Sequence, residues 1–476
     1  MSFLFNWFRG KPAAPERVPT DTVIPLGSFD DTKVNRSLSL DFTMRYDDVL
    51  DVQKLVGALE KLLDMPGWRK LGARLRLNDQ EKLEYHVPEK FTKERPSVSF
   101  THITHEISIS SHPLASQIPR ATNKLTSSPP LGQFRPILLP PNSATKLEDW
   151  IYSDRPQFQL HIVSFEDATL VTLSWLHKLL DAMGRSVLLK AWTAVLEGRE
   201  HDVPELYGYD FDPLASLGAP PSKIESEEEV EESVIADRQL KGWSMFKFVI
   251  SYVWELLIHR REEQRMICIP AAYFKRLKEQ CLQDLKGMHP ATITMDTSDP
   301  SNPKPFLSDG DTISILNVFG MRNLLSSTSP VLLPKGKAYI ANAPLGLIAS
   351  EIRRSLVEQG TRSQVNAICR LQKRSLAKTG IVPVFGTSDM TFGAFSNWSK
   401  GKMFETDFSA AVVKEGEVKH IAGRPTYIQA DGNAIGFSVR NSAPALGRDN
   451  EGNYWVEGML RCETWENIER AIEGME

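Results

Sequence analysis

The sequence predicts a mixed α/β protein, and three observations carry that expectation. An amphipathic helix at 49–63 is followed at once by two alternating runs, 73–77 and 83–87, that read as paired strands. Two β-rich runs, Phe158-Gln159-Leu160-His161-Ile162-Val163 and Leu170-Val171-Thr172-Leu173-Ser174-Trp175, flank Glu166-Asp167 as a hairpin would, and Leu188, Leu189, Trp192, Val195 and Leu196 then recur at helical spacing. The last third is mostly strand, at 410–413, 426–428, 437–439 and 454–460, after helices at 272–285 and 345–358. A helix before a hairpin argues for sheets of mixed direction.

Taken in order, residues 1–20 are Pro-rich and charged, a loosely tied lead-in. Val49, Val52, Leu55, Val56, Leu59, Leu62 and Leu63 mark the first helix, opened by Asp47-Asp48 and closed before Pro66-Gly67. Alternation over 97–110 predicts a strand that throws His102 and His105 to opposite faces, so no metal site is read there. The Pro- and Ser-rich stretch 127–145 reads as a long loop bordering a substrate entrance. Pro and Gly punctuation across 202–240, with an acidic run at 225–232, marks a boundary. The expected domains are therefore a first at 21–205 and a second at 265–476, joined by a linker and crossover helix at 206–264. Within that linker, 243–258 is apolar but shorter than the ~20 residues of a bilayer span, and it carries Lys247 and Glu255. It reads as a packed or surface helix, with Arg260 and Arg261 leaving a membrane-lying helix as the alternative. Beyond it, Ser308-Asp309-Gly310-Asp311 reads as a turn or helix start and Ala338-Tyr339-Ile340-Ala341 as a strand.

A chain of 476 residues can bury a large core, and at ~100–200 residues per domain two domains are expected. A formal charge of -4 with 24% charged residues gives no polyanion-binding surface, so nucleic acid is not expected as a partner. Cys268, Cys281, Cys369 and Cys462 are scattered, which suggests neither a disulfide framework nor a zinc site. Leu4-Phe5-Asn6-Trp7-Phe8 is too short for a signal-peptide core. The expectation is a cytoplasmic monomer with no membrane span.

The chemistry is placed at Ser174-Trp175-Leu176-His177-Lys178-Leu179-Leu180-Asp181-Ala182-Met183-Gly184, where a strand ends and a helix begins. Of the ten histidines, His177 alone has Asp four residues on. An imidazole of pKa about 6.5 suits proton removal at neutral pH, and the junction exposes it on rigid support. Asp181 has a second reading, as the N-cap of the helix at 187–197, and on the motif alone an accidental match stays open.

Several segments in order resemble the BAHD acyltransferase family, and most its fungal branch. His177-Lys178-Leu179-Leu180-Asp181 matches its His-x-x-x-Asp, with Ala182 where many relatives have Gly. Phe306-Leu307-Ser308-Asp309-Gly310-Asp311, Leu316-Asn317-Val318-Phe319-Gly320-Met321-Arg322, Leu333-Pro334-Lys335-Gly336 and Tyr339-Ile340-Ala341-Asn342-Ala343 follow, then Asn397-Trp398-Ser399-Lys400 and Asp407-Phe408-Ser409, similar to its second signature. The resemblance spans roughly residues 20 to 476. It implies two chloramphenicol-acetyltransferase-like domains with mixed sheets around a central channel, entered by acyl-CoA and a small-molecule acceptor. By likeness His177 is the general base, Asp181 turns away to pair with Arg322, and Asp407 joins the catalytic set by holding the channel in shape. Acyl-CoA, acetyl-CoA in the first instance, is then a co-substrate, with no metal and no permanently bound cofactor.

Two departures stand out. Asp407-Phe408 is followed by Ser409-Ala410-Ala411 where plant members read Gly-Trp-Gly, and Gly310-Asp311-Thr312-Ile313-Ser314 runs almost at once into Leu316-Asn317-Val318 where relatives insert a helix of about five turns. The leading expectation is an acyl-CoA-dependent O-acyltransferase of fungal secondary metabolism. The alternative is a catalytically weak relative that binds a ligand or partner; a hydrolase lacks a Gly-x-Ser-x-Gly elbow.

Overall fold

The computed structural model describes residues 13–475 apart from 28, 207, 220–230, 287–311, 319–327, 335–343, 418–419 and 435–437; for 312–318 and 328–334 the backbone alone is described. The chain opens with β1 (Thr22–Pro25), α1 (Lys33–Ser37), β2 (Leu38–Tyr46), β3 (Asp48–Leu50) and α2 (Val52–Asp64). β4 (Arg74–Leu77), β5 (Leu83–Val87), β6 (Val98–Thr104) and β7 (Thr126–Ser127) follow, then α3 (Arg135–Leu138), α4 (Leu147–Ile151), β8 (Phe158–Ser164), β9 (Thr169–Leu176) and α5 (Ala182–Leu196). The second half holds α6 (Gly242–Ile258), β10 (Glu262–Ile269), α7 (Ala271–Lys286), β11 (Thr312–Val318), β12 (Thr328–Pro334), α8 (Leu345–Gln359), α9 (Arg362–Thr379) and β13 (Thr391–Asn397). It closes with β14 (Val412–Glu415), β15 (Tyr427–Ala434), β16 (Ser442–Arg448), β17 (Tyr454–Arg461) and α10 (Cys462–Glu473).

Two sheets dominate, one of five strands ordered β15-β2-β9-β8-β6 and one of seven ordered β12-β11-β13-β16-β17-β10-β7. Both mix directions: β6 runs parallel to β8 while β8, β9 and β2 alternate, and β11, β13 and β16 run parallel beside antiparallel neighbours. The halves also exchange strands. β15 pairs with β2 from Tyr427↔Arg45 to Ala434↔Leu38, β14 pairs with β3, and β7 from the first half pairs with β10. Each exchanged strand satisfies its backbone groups on the other half's sheet, so the halves cannot separate without leaving those groups unpaired.

Alternation divides the five-stranded sheet into two buried faces of opposite character. Phe42, Met44, Tyr46, Leu160, Ile162, Leu173 and Trp175 form an apolar face beneath α5, and α2 packs beside α5 with the Trp192 indole donating to Leu55 O at 3.0 Å. Asp41, Thr43, Arg45, Gln159, His161, Thr172, Ser174 and Asp431 point the other way and are also buried. They find partners: Thr43 and Thr172 hydroxyls lie 2.8 Å apart, and Arg45 binds Asp47 at 2.9 Å. Arg135 on α3 reaches Asp41 at 3.6 Å and Asp431 more closely. Burying this face therefore leaves few polar groups unsatisfied, as a stable interior requires.

That network explains one difference from expectation. The stretch 127–145 is not an open loop: a 3₁₀ turn at Leu131–Phe134 and α3, which has Pro near its first turn, lay Arg135 across the polar face. The first helix begins at Val52 rather than 49, because Val49 and Leu50 pair with β14 and Asp51 caps the helix through Lys54 N–H at 3.0 Å. A strand expected at 437–439 is absent from 438–439 and appears instead as β16. The expected features at 308–311 and 338–341 lie outside the described residues. His102 bonds the Ser164 hydroxyl at 3.0 Å and His105 stacks on Phe165 at 5.2 Å. No helix among the described residues is long and apolar enough to cross a membrane.

Candidate active site

β9 is flanked by β2 and β8, and every residue of Thr169–Leu176 is buried. The ladder continues one residue further, with the His177 amide donating to Leu38 O at 2.9 Å. The chain then turns under three restraints. Leu179 N–H reaches Leu176 O at 2.9 Å, the Trp175 indole donates to Leu180 O at 3.0 Å, and the Tyr85 hydroxyl donates to Lys178 O at 3.3 Å. The result is a half-buried imidazole on a fixed backbone, the placement a general base needs. Its neighbour Lys178 is buried, and that burial pushes its ammonium down to about 7, with Asp31 opposing the fall and Arg36 adding to it.

Asp181 is the N-cap of α5. Its Oδ1 accepts from Gly184 N–H at 2.7 Å, and its carbonyl accepts from Arg185 N–H at 2.9 Å. Arg322, expected as its partner, lies outside the described residues. A different arginine feels the Asp181 charge: Arg185, one turn along α5 and 1% exposed. Its guanidinium carbon lies 4.0 Å from the Phe42 ring centroid, 5.8 Å from Trp175 and 4.5 Å from Trp398. Burial drives its pKa down to about 9, while Asp181 and Glu457 pull it back up. The Ser186 hydroxyl donates to Gly401 O at 2.6 Å beside this clamp, so the first turns of α5 are fastened to the segment after β13.

Asp407 is not brought to His177. Its Oδ1 accepts from Ser409 N–H at 2.9 Å and its Oδ2 lies 3.7 Å from Arg424 Nε. The next residue, Phe408, stacks on Tyr46 at 5.4 Å and meets Trp192 edge-on at 4.8 Å. Tyr46 pairs with Thr169 at one end of β2, whereas Leu38, which binds the His177 amide, is at the other. Eight residues of strand separate them, ~26 Å. The Asp407 segment is held there by Asp48, which is fully buried and accepts from Gly423 N–H at 2.7 Å, Gly416 N–H at 3.2 Å and the His420 ring at 2.8 Å.

A cavity of about 350 Å³ opens where the two sheets meet, lined by Thr145, Glu262, Gly432, Asn433, Ala434, Val439 and Met459. Ala434 pairs with Leu38, so its wall lies beside the strand end that carries His177. The sequence did not single out Arg185 or the Asp41–Asp431 pair, and it offered Asp48 only as part of a helix start. The first had a faint signal, a lone cation among Leu188, Leu189 and Trp192 on a helix otherwise apolar toward the sheet; the pair had none.

No protein-family profile matches this chain. It is 37% identical to the transcriptional regulator calD of Penicillium decumbens over 98% of this chain and 99% of that one. It is 35% identical to the acetyltransferase adrJ of Penicillium roqueforti over 97% of each chain, and 31% identical to the O-acyltransferase pboC of Aspergillus ustus over 91% and 96%. Among solved structures, F. graminearum TRI101 complexed with coenzyme A and T-2 mycotoxin superposes with a TM-score of 0.59 at 13% identity, over 94% of this chain and 97% of that one. That last likeness concerns the fold, the two-domain chloramphenicol-acetyltransferase-like architecture. With full-length relatives at this identity, the chain belongs to the fungal branch of the BAHD-type acyl-CoA-dependent acyltransferases.

Proposed function

We propose that this chain moves an acyl group, acetyl in the first instance, from acyl-CoA to a hydroxyl of a small secondary-metabolite acceptor, with His177 as general base. The supporting observation is a half-buried His177 on a loop whose backbone is held by the Leu38, Leu176 and Leu180 carbonyls at the end of a buried strand, with a cavity of about 350 Å³ walled by Ala434, the residue paired with Leu38. His177 takes the hydroxyl proton as the acceptor oxygen attacks the thioester carbonyl carbon. The tetrahedral intermediate then breaks its C–S bond, and the imidazolium returns the proton to the departing CoA sulfur. Proton transfer of this kind contributes ~10²–10⁴-fold, in addition to the gain from holding both substrates together. No acyl-enzyme is required. The cavity beside β15 is the proposed acceptor subsite.

In this reading Asp181 uses one oxygen to cap α5 and the other to bind Arg322, and Asp407 maintains the channel without touching the reacting atoms. The domains are 21–205 and 265–476 with 206–264 crossing between them, in a cytoplasmic monomer. The test is direct: incubate the protein with acetyl-CoA and an extract of the producing fungus, and follow free thiol together with a mass gain of one acetyl group. A second reading, a catalytically weak relative that binds a ligand or partner, draws support from the name of calD, a relative matched over 99% of its own length. Thiol release dependent on acceptor and lost in His177→Ala supports the first reading; its absence across acyl-CoA donors supports the second.

A further inference from the structure

α6 runs over 17 residues from Gly242 to Ile258, and none of its side chains is buried. Its inward side is held by polar contacts: the Tyr252 hydroxyl donates to Ser438 O at 3.3 Å, and Glu255 binds Arg461 and, at 3.5 Å, Arg440. These fix which side faces outward. Trp243, Phe246, Val249, Ile250, Val253, Trp254, Leu257 and Ile258 are all exposed, Trp243 at 67% and Trp254 at 64%. Trp243, Phe246, Ile250, Val253, Trp254 and Leu257, at i, i+3, i+7, i+10, i+11 and i+14, lie on one continuous stripe, with Val249 and Ile258 at its two edges. A monomer in water does not keep so large a contiguous apolar ridge without something to cover it.

The charges around the ridge say what covers it. Lys241, Lys247, Arg260 and Arg261 are exposed, while the single carboxylate between 241 and 261, Glu255, is engaged inward with arginines. The ridge is thus rimmed by positive charge on a chain whose formal charge is -4. A second copy does not fit this pattern. Antiparallel pairing brings Lys241 of one helix against Arg260 and Arg261 of the other, and parallel pairing sets Lys247 against Lys247. A bilayer with anionic headgroups fits both features, since apolar side chains enter the acyl boundary while basic residues stay among the phosphates. Trp243 and Trp254, eleven residues apart, have the ring chemistry favoured at that boundary. At ~25 Å the helix is too short to span and suits lying in the plane. We infer that the outer face of α6 docks this protein on an anionic lipid surface.

The test is flotation of the full-length chain with vesicles of phosphatidylcholine alone and of phosphatidylcholine with phosphatidylserine, alongside two variants, Trp243→Ser/Trp254→Ser and Lys247→Glu/Arg260→Glu. All four positions are exposed and lie outside the proposed catalytic machinery, so circular dichroism should match the wild type. The expected result is flotation with the serine-containing vesicles, weakened by salt and reduced about tenfold or more in each variant. Failure of the wild type to float overturns the inference, as does charge-reversed protein that floats as well as wild type. If instead ultracentrifugation finds a dimer that Trp243→Ser/Trp254→Ser abolishes, a second copy covers the ridge and the lipid assignment is wrong. A wild-type chain that neither floats nor self-associates covers the ridge itself, which is equally a refutation.

Discussion

The Arg185 guanidinium stands 4.5 Å from the Trp398 ring, with Phe42 4.0 Å away, so one buried cation joins α5, the five-stranded sheet and the segment after β13. Among the described residues its Nε and Nη2 have no hydrogen-bond acceptor, and aromatic faces supply the stabilisation that a carboxylate would otherwise give. Desolvated cation–π contacts contribute ~2 kcal/mol or more. Arg185→Lys keeps the charge but loses the flat surface that the rings stack on, and should cost ~2 kcal/mol. Arg185→Ala adds a cavity and should cost ~3–5 kcal/mol. Urea unfolding measures both; an alanine variant as stable as wild type would show that the clamp holds nothing.

His177→Ala should leave the unfolding midpoint nearly unchanged, because the side chain is half-buried and the loop is held by backbone and indole contacts. Turnover should fall by ~10²–10⁴-fold, the usual share of a general base. Thiol release measured on a folded variant decides this, and near-normal turnover would remove His177 from the chemistry.

How far the sequence carries the fold depends on the range of the signal. Delivery of His177 from strand to helix is legible because both periodicities are local, and β8, β9, β17 and α6 are found nearly residue for residue. Strand exchange is not, since β15 meets β2 across nearly four hundred residues and nothing in 427–434 marks its partner. The sheet misleads in another way. Ser39-Leu40-Asp41-Phe42-Thr43-Met44-Arg45 alternates like a strand with one wet face, yet both faces are buried, with Arg135 of α3 laid across the polar one. Arg185 is hidden for the same reason: a cation on a helix reads as solvent-facing until the aromatic residues around it are placed.

Asp41 gives a pH dependence whose sign can be worked out. Its carboxyl is raised from 3.8 to about 6, first by burial and then by Asp431, while Ser174, Arg135 and Asn433 work against the rise. The folded protein therefore holds this proton more tightly than the unfolded chain. The contribution is complete below about 4 and is lost as pH climbs through about 6, so the Asp41 site weakens the pairing of β2 with β15 toward neutral pH. Asp41→Asn should flatten that part of the stability profile and gain ~2–3 kcal/mol over wild type above pH 7 relative to pH 4. Parallel profiles for the two proteins between these limits would contradict the assignment.

Gly423 should not tolerate a side chain. Its φ is +73°, and a Cβ there would sit 2.2 Å from Ser409 N in the segment that carries Asp407 and Phe408. Gly423→Ala has to displace that segment or break the bond from Gly423 N–H to Asp48. The backbone strain alone costs ~1–3 kcal/mol, and a lost buried hydrogen bond adds ~1–3 kcal/mol. The expected outcome is a large fall in thermal midpoint with reduced turnover; a variant matching wild type in both would show that the 407–423 segment does not depend on this approach.

Asp181 allows a cap to be separated from an ion pair. Asparagine caps helices about as well as aspartate, so if the Gly184 N–H bond were the whole role of Asp181, Asp181→Asn would be nearly silent and Asp181→Ala would cost ~0.5–2 kcal/mol. The proposed pairing with Arg322 makes a different forecast. Removing one partner leaves the other charge uncompensated, which costs up to ~3–5 kcal/mol where a pair is fully buried, so with Asp181 half-buried Asp181→Asn and Arg322→Ala should both destabilise the protein by more than a silent cap exchange would. In the double variant the losses should not add, because the second substitution removes a charge already left without its partner. Turnover should fall with them, since the loop that orients His177 ends at Asp181. Full additivity of the two substitutions, or an asparagine variant with wild-type stability and turnover, would reduce Asp181 to its helix cap and leave Arg185 as the cation that shapes this corner of the site.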